Sequence, residues 1–318
     1  MLPETGEDAP RYETILEEFE LVAPSGNTLY GMIRRPDPES HPGLCFAAVV
    51  LVPGGINPGR LLALGYEARL LAEAGMVVAT FNAEGRGEEI PEDRISEGSE
   101  DCNGTRQQDG LAAIVRFVQS LDGVDADNIG IKTQSFGITM GAGCLARYPE
   151  LGVRYLVDGE GPPNSFVTCQ EPWAMDADSS NDKHETVHGI LGHYSTTRDS
   201  SAANREFWST REAERFIGDI SARYLRLQAE WDHSQPPTHA AEADTFHLPP
   251  DWWQCKHAAV MVNAAVAGGV PWVRVNLAEH GNAVGATYGV DRHPVYLPGF
   301  LADDVWDVRA IIEMARTE

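Results

Sequence analysis

Two short runs, Phe46–Val52 and Met76–Phe81, constrain this chain more than any other feature, because both are almost wholly apolar. A strand with one wet face alternates apolar and polar residues; a strand covered on both faces does not. Both runs therefore belong inside a sheet with helices on each side. A helical pattern through Leu61–Ala74 separates them and stops at Gly75. Beyond Phe81 the same rhythm continues: a helix over about 107–121, a strand at Asn128–Lys132, a small-residue helix ending near Arg147, and a strand at Val153–Val157. Alternation of this kind predicts an α/β protein with a mostly parallel sheet. Upstream, residues 16–34 alternate around Pro24-Ser25-Gly26-Asn27 and read as an antiparallel hairpin at a sheet edge.

The rhythm lapses over 161–218, a stretch rich in Pro, Asp, Ser and His with one helical pattern near 205–218, and this segment is expected to form an inserted cap or lid. It returns with a strand at Tyr224–Gln228, a helix around 255–268, a strand at Val273–Leu277 and an amphipathic helix over 302–316 carrying Val305, Val308, Ile312 and Met314 on one stripe. The expected organisation is a tail over 1–15, one α/β catalytic domain over 16–160 and 219–318, and the 161–218 cap or lid insertion.

Charge narrows the partners. A net charge of −24 repels nucleic-acid phosphates and anionic membrane surfaces, so neither is expected to bind. Lys132, Lys183 and Lys256 are the only lysines, which fits either a saline habitat or a base-rich genome. Met1–Glu20 lacks the basic-then-apolar build of a secretory signal, and no stretch approaches about 18 uninterrupted apolar residues. A soluble, cytoplasmic chain is expected, with a homodimer as the generic assembly. Cys45, Cys102, Cys144, Cys169 and Cys255 include no C-x-x-C pair, so reduced thiols are expected, with a Cys102–Cys169 bridge left open.

Chemistry is suggested at three strand ends. A serine hydroxyl is a weak nucleophile at neutral pH and needs an imidazole base, itself oriented by a third group. Thr133-Gln134-Ser135-Phe136-Gly137 follows one strand, Ala229-Glu230-Trp231-Asp232-His233 a second, and Ala278-Glu279-His280-Gly281-Asn282 a third. The alternative for Ser135 is a serine that merely starts the helix as its N-cap.

Taken together these segments resemble the α/β-hydrolase family, closest to its dienelactone-hydrolase and prolyl-oligopeptidase-like branches, over nearly the whole chain from about residue 16. Pro53-Gly54-Gly55 stands where that family has its oxyanion loop, and Glu84-Gly85-Arg86-Gly87 resembles its D-x-R-G turn with Glu for Asp. The resemblance implies Ser135 as nucleophile on a sharp strand-to-helix turn, then acid, then histidine in chain order. Asp232 is the favoured acid, with Asp158 and Glu160 after the preceding strand as rivals. His280 is the favoured base over His257 and His293. The resemblance further implies an oxyanion hole from the backbone N–H groups of Gly55 and Phe136. Thr133 departs from the family's glycine, which predicts that its side chain points away from the following helix and packs without blocking the turn. Gly54, Trp173, Trp208 and Trp231 are candidate substrate contacts, the tryptophans being equally suited to lid or core packing.

His184-Glu185-Thr186-Val187-His188 matches the H-E-x-x-H zinc pattern, but Gly189 and Gly192 weaken the helix it requires, and Leu191 and Ser195 break the longer motif. Neither a metal nor a cofactor is expected. A carboxylesterase is the leading expectation. A serine peptidase or acyltransferase comes next, and a non-catalytic binding protein on the same fold after that.

Overall fold

The computed structural model describes residues 11–163, 202–231, 252–276, 282–283, 297–300 and 304–316. Among the described residues the main sheet has nine strands in the order β1-β2-β4-β3-β5-β6-β7-β9-β10. These are β1 (Thr14–Val22), β2 (Thr28–Pro36), β3 (Phe46–Val52), β4 (Met76–Phe81), β5 (Val124–Gln134), β6 (Tyr155–Gly159), β7 (Arg223–Leu227), β9 (Val273–Val275) and the two-residue β10 (Asn282–Ala283). The first hairpin sits at one edge, antiparallel to itself and to β4, and β10 runs antiparallel to β9 at the other. Everything between is parallel. A second small sheet pairs β8 (Ala229–Trp231) with β11 (Leu297–Phe300).

Strand β3 shows why the apolar runs had to be central. Ala48, Val50 and Val52 enter the core on one face, and Ala47, Val49 and Leu51 enter a second core on the other. The first core is closed by α2 (Thr105–Gln119), α3 (Gly137–Arg147), α5 (Ala213–Ile217) and α6 (Trp252–Gly268) through Leu111, Met140, Ile217 and Met261. The second is closed by α1 (Tyr66–Glu73) and the terminal helix α7 (Asp304–Arg316) through Leu71, Val308, Ile311, Ile312 and Met314. Lys132, buried on β5, reaches Asp307 of α7 at 2.5 Å and Glu67 of α1 at 3.4 Å, tying this layer to the sheet. Burial would lower its pKa, but the two carboxylates outweigh that and raise it.

Several boundaries differ from the sequence-based expectation. The single helix expected over 61–74 is divided into a 3-10 turn at Arg60–Leu64 and α1, because Gly65 between them is extended. Strand β6 lies two residues later than expected, at Tyr155–Gly159, since Asp158 is taken into the strand fully buried. The helical pattern near 205–218 forms two short helices, α4 (Ala202–Ser209) and α5, and Ala213 and Ile217 of α5 lie in the first core. Residues 164–201, most of the stretch expected to form a cap, lie outside the described residues. Cys102 and Cys144 form no disulfide with another described residue, and Cys169 lies outside the described residues. Among the described residues no helix is long and apolar enough to cross a membrane.

Candidate active site

The parallel strands point their C-terminal ends to one side of the sheet, and Ser135 directly follows the end of β5 there. Its φ of +48° places a non-glycine residue in the left-handed region, an uncommon conformation that marks a sharp turn between β5 and α3. The turn is held by its neighbours: the Ser135 N–H donates to the Gly159 carbonyl at 2.7 Å, and the Ile138 N–H to the Ser135 carbonyl at 3.0 Å. Ser135 is half-buried. Thr133 remains in the ladder opposite Asp158 and is fully buried. Contrary to expectation its side chain faces the following helix, and it fits because α3 presents Gly141 to it: a Cβ on Gly141 would come within 2.6 Å of Thr133 Cγ2.

The loop after β3 packs directly on this turn. A Cβ on Gly137 would collide with the Pro53 carbonyl oxygen, so glycine is required there for the two loops to meet, and one on Gly54 would press on Ser135 Cβ at 3.1 Å. Gly55 adopts φ +59°. Among the described residues, neither the Gly55 N–H nor the Phe136 N–H donates to an acceptor. These two N–H groups belong to the two loops that meet at Ser135.

Beneath them lies a buried polar cluster that sequence reasoning missed. Asn103, fully buried with φ +60°, donates from Nδ2 to the Gly55 carbonyl at 3.1 Å and to the Phe136 carbonyl at 2.9 Å. Its Oδ1 accepts from Arg86 Nη2 at 2.8 Å, its N–H donates to Gln107 Oε1 at 2.7 Å, and its carbonyl accepts from Gln108 Nε2 at 3.0 Å. Arg86, the arginine of the Glu84-Gly85-Arg86-Gly87 turn, also binds both oxygens of Glu100 at 2.7 Å. Burial would raise the Glu100 pKa, but Arg86 and the Cys102 N–H outweigh it, and the carboxyl lies below its ordinary value. The only sequence signal for Asn103 was its place in a turn just ahead of α2.

On the other side of Ser135, Asp158 is wholly engaged. Its Oδ1 accepts from the Gly161 N–H at 2.9 Å, and its Oδ2 from the Tyr224 hydroxyl at 2.7 Å and Arg226 Nη1 at 2.8 Å. Burial and the neighbouring carboxylate push the Tyr224 phenol well up, so it stays a donor. Arg226 continues to Gln228 Oε1 through Nη2 at 2.7 Å. The Gln228 N–H donates to Asn276 Oδ1 at 2.9 Å, while Asn276 Nδ2 donates to the Gln228 carbonyl at 3.2 Å. This buried chain crosses the ends of β6, β7 and β9 and stops just short of the segments carrying Asp232 and His280. Those two residues and Trp173 lie outside the described residues, as do His184 and His188. Trp231 closes β8, in register with Phe300. Trp208 of α4 is buried, with its ring edge-on to Phe136 at 6.4 Å between centroids. Among the described residues no cluster of His, Cys, Asp and Glu could hold a metal ion.

A parallel sheet with this strand order, helices on both faces and a left-handed serine turn at the end of its central strand defines the α/β-hydrolase fold. Solved structures with the same fold include a Mycobacterium tuberculosis puromycin-hydrolyzing peptidase (TM-score 0.60, 13% identity, covering 95% of this chain and 39% of that one). A Pyrococcus horikoshii acylaminoacyl peptidase matches with TM-score 0.58 at 12% identity, over 94% of this chain and 40% of that one. A study of two esterases from Rhizomucor miehei supplies a third, with TM-score 0.58 at 15% identity, over 96% of this chain and 84% of that one. The chain thus spans about two-fifths of the length of these two peptidases. No protein-family model matches the sequence, and no curated protein does.

Proposed function

We propose that the chain is a serine hydrolase that cleaves carboxylic esters through an acyl-enzyme. Ser135 Oγ attacks the ester carbonyl while His280 removes its proton, and Asp232 holds the imidazole in the required tautomer. The carbonyl oxygen, now an oxyanion, lies between the N–H groups of Gly55 and Phe136. The intermediate collapses as His280 returns the proton to the leaving alcohol, and water activated by His280 then releases the acid. The observation that carries this reading is the pairing of Ser135 at φ +48° with a glycine loop so close that a Cβ on Gly54 would stand 3.1 Å from Ser135 Cβ. Asp232 is favoured over Asp158 because both oxygens of Asp158 already serve Gly161, Tyr224 and Arg226. Esters stand first because the Rhizomucor miehei esterase is matched over 84% of its own length; the peptidase neighbours make amide hydrolysis the second reading.

The test is labelling by a fluorophosphonate probe together with turnover of p-nitrophenyl esters and aminoacyl-nitroanilides. Wild type should be labelled and should hydrolyse esters, and Ser135→Ala should lose both. Labelling that persists in Ser135→Ala defeats the nucleophile assignment. Turnover of anilides without esters moves the reading to a peptidase.

A further inference from the structure

We infer that Asn103 is a positioning residue that sets the spacing of the two oxyanion donors. The inference rests on the hydrolase reading above and goes beyond it. A single amide nitrogen donates to the carbonyls of Gly55 and Phe136, the same two residues whose N–H groups are assigned to the oxyanion. Those residues belong to different loops, one after β3 and one after β5, and Asn103 bridges them. The amide cannot flip without breaking the arrangement, because its oxygen faces the cationic Arg86, a donor only. Asn103 is itself fixed by Gln107 and Gln108 on its own backbone, and its left-handed φ of +60° suits asparagine better than almost any residue but glycine.

Oxyanion stabilisation depends on donors held in place before charge develops, and a displacement of about 1 Å can cost about a hundredfold in rate. Asn103 acts through the peptide groups it holds. Asn103→Asp keeps the shape and the acceptor facing Arg86 but replaces the shared donor with an oxygen that two carbonyls repel.

With p-nitrophenyl butyrate, Asn103→Asp should lower kcat by about 10- to 100-fold with KM changed only slightly. Affinity for an alkyl trifluoromethyl ketone, which forms a tetrahedral adduct, should fall by the same factor as kcat/KM. A residue that merely stabilised the fold would leave both quantities near wild type in the folded fraction, as measured by near-ultraviolet circular dichroism. If Asn103→Asp fails to fold, Asn103→Ser carries the same expectation. Ser135-dependent turnover with wild-type kcat and ketone affinity in the folded variant overturns the clamp and leaves the hydrolase reading intact. Turnover that survives Ser135→Ala removes that reading and the role of Asn103 with it.

Discussion

At position 133 the strand carries threonine where the serine turn usually has glycine, and the room it needs comes from the helix instead. Thr133 keeps its place in the ladder, and Gly141 of α3 leaves space for its Cγ2. The glycine has in effect moved across the interface. Adding a methyl group at position 141 should therefore overpack this contact and cost about 1–3 kcal/mol. Thr133→Ser removes Cγ2 while retaining the hydroxyl, so Gly141→Ala should be better tolerated in the Thr133→Ser background than alone. Urea unfolding of the two singles and the double closes the cycle; strictly additive effects would show that the two positions are not coupled. Asn103 is the opposite kind of residue. Its role depends on two loops that are distant in sequence, and no local pattern distinguishes it from an ordinary turn asparagine.

At the scale of strands and helices, the chain of Asp158, Arg226, Gln228 and Asn276 explains both a boundary error and a preference. Apolar patterning ends β6 early because a carboxylate looks like a strand terminus. Asp158 nevertheless belongs to the strand because Arg226 of the neighbouring β7 neutralises it. Mutual neutralisation is invisible to a reading of one strand at a time. The same limit explains Gly65, where apolar spacing continues unbroken through a backbone that is not helical. By contrast, β3 and β4 were fully legible, since burial on both faces leaves a direct mark on residue type. The serine turn and the glycine loop were legible for a similar reason, as close backbone approach restricts side-chain size. Removing one member of the buried pair leaves an uncompensated charge, so Asp158→Asn should destabilise by about 3–5 kcal/mol, read as a lower denaturant midpoint. Asp158→Asn with an unchanged midpoint but lost turnover would instead make Asp158 the triad acid.

For the whole molecule, two kinds of electrostatics oppose one another. The net charge of −24 drives self-repulsion across the surface. Inside, Arg60, Arg86, Lys132 and Arg226 hold carboxylates at buried or half-buried contacts. Salt screens the first strongly and the second weakly, because exposed charges feel a Debye length of about 10 Å at 0.1 M that shrinks to about 3 Å at 1 M. Stability should therefore rise with sodium chloride at pH 7 and level off near 1 M, once surface repulsion is screened. Each 1 kcal/mol gained corresponds to a Tm increase of roughly 2 °C in a chain of this size. Thermal melts from 0.05 to 2 M salt check this. A Tm that falls with salt would mean that attractive surface pairs such as Arg94 with Glu20 and Arg116 with Glu150 outweigh the net repulsion. A rise that continues unabated beyond 1 M would point to strengthened apolar burial rather than screening.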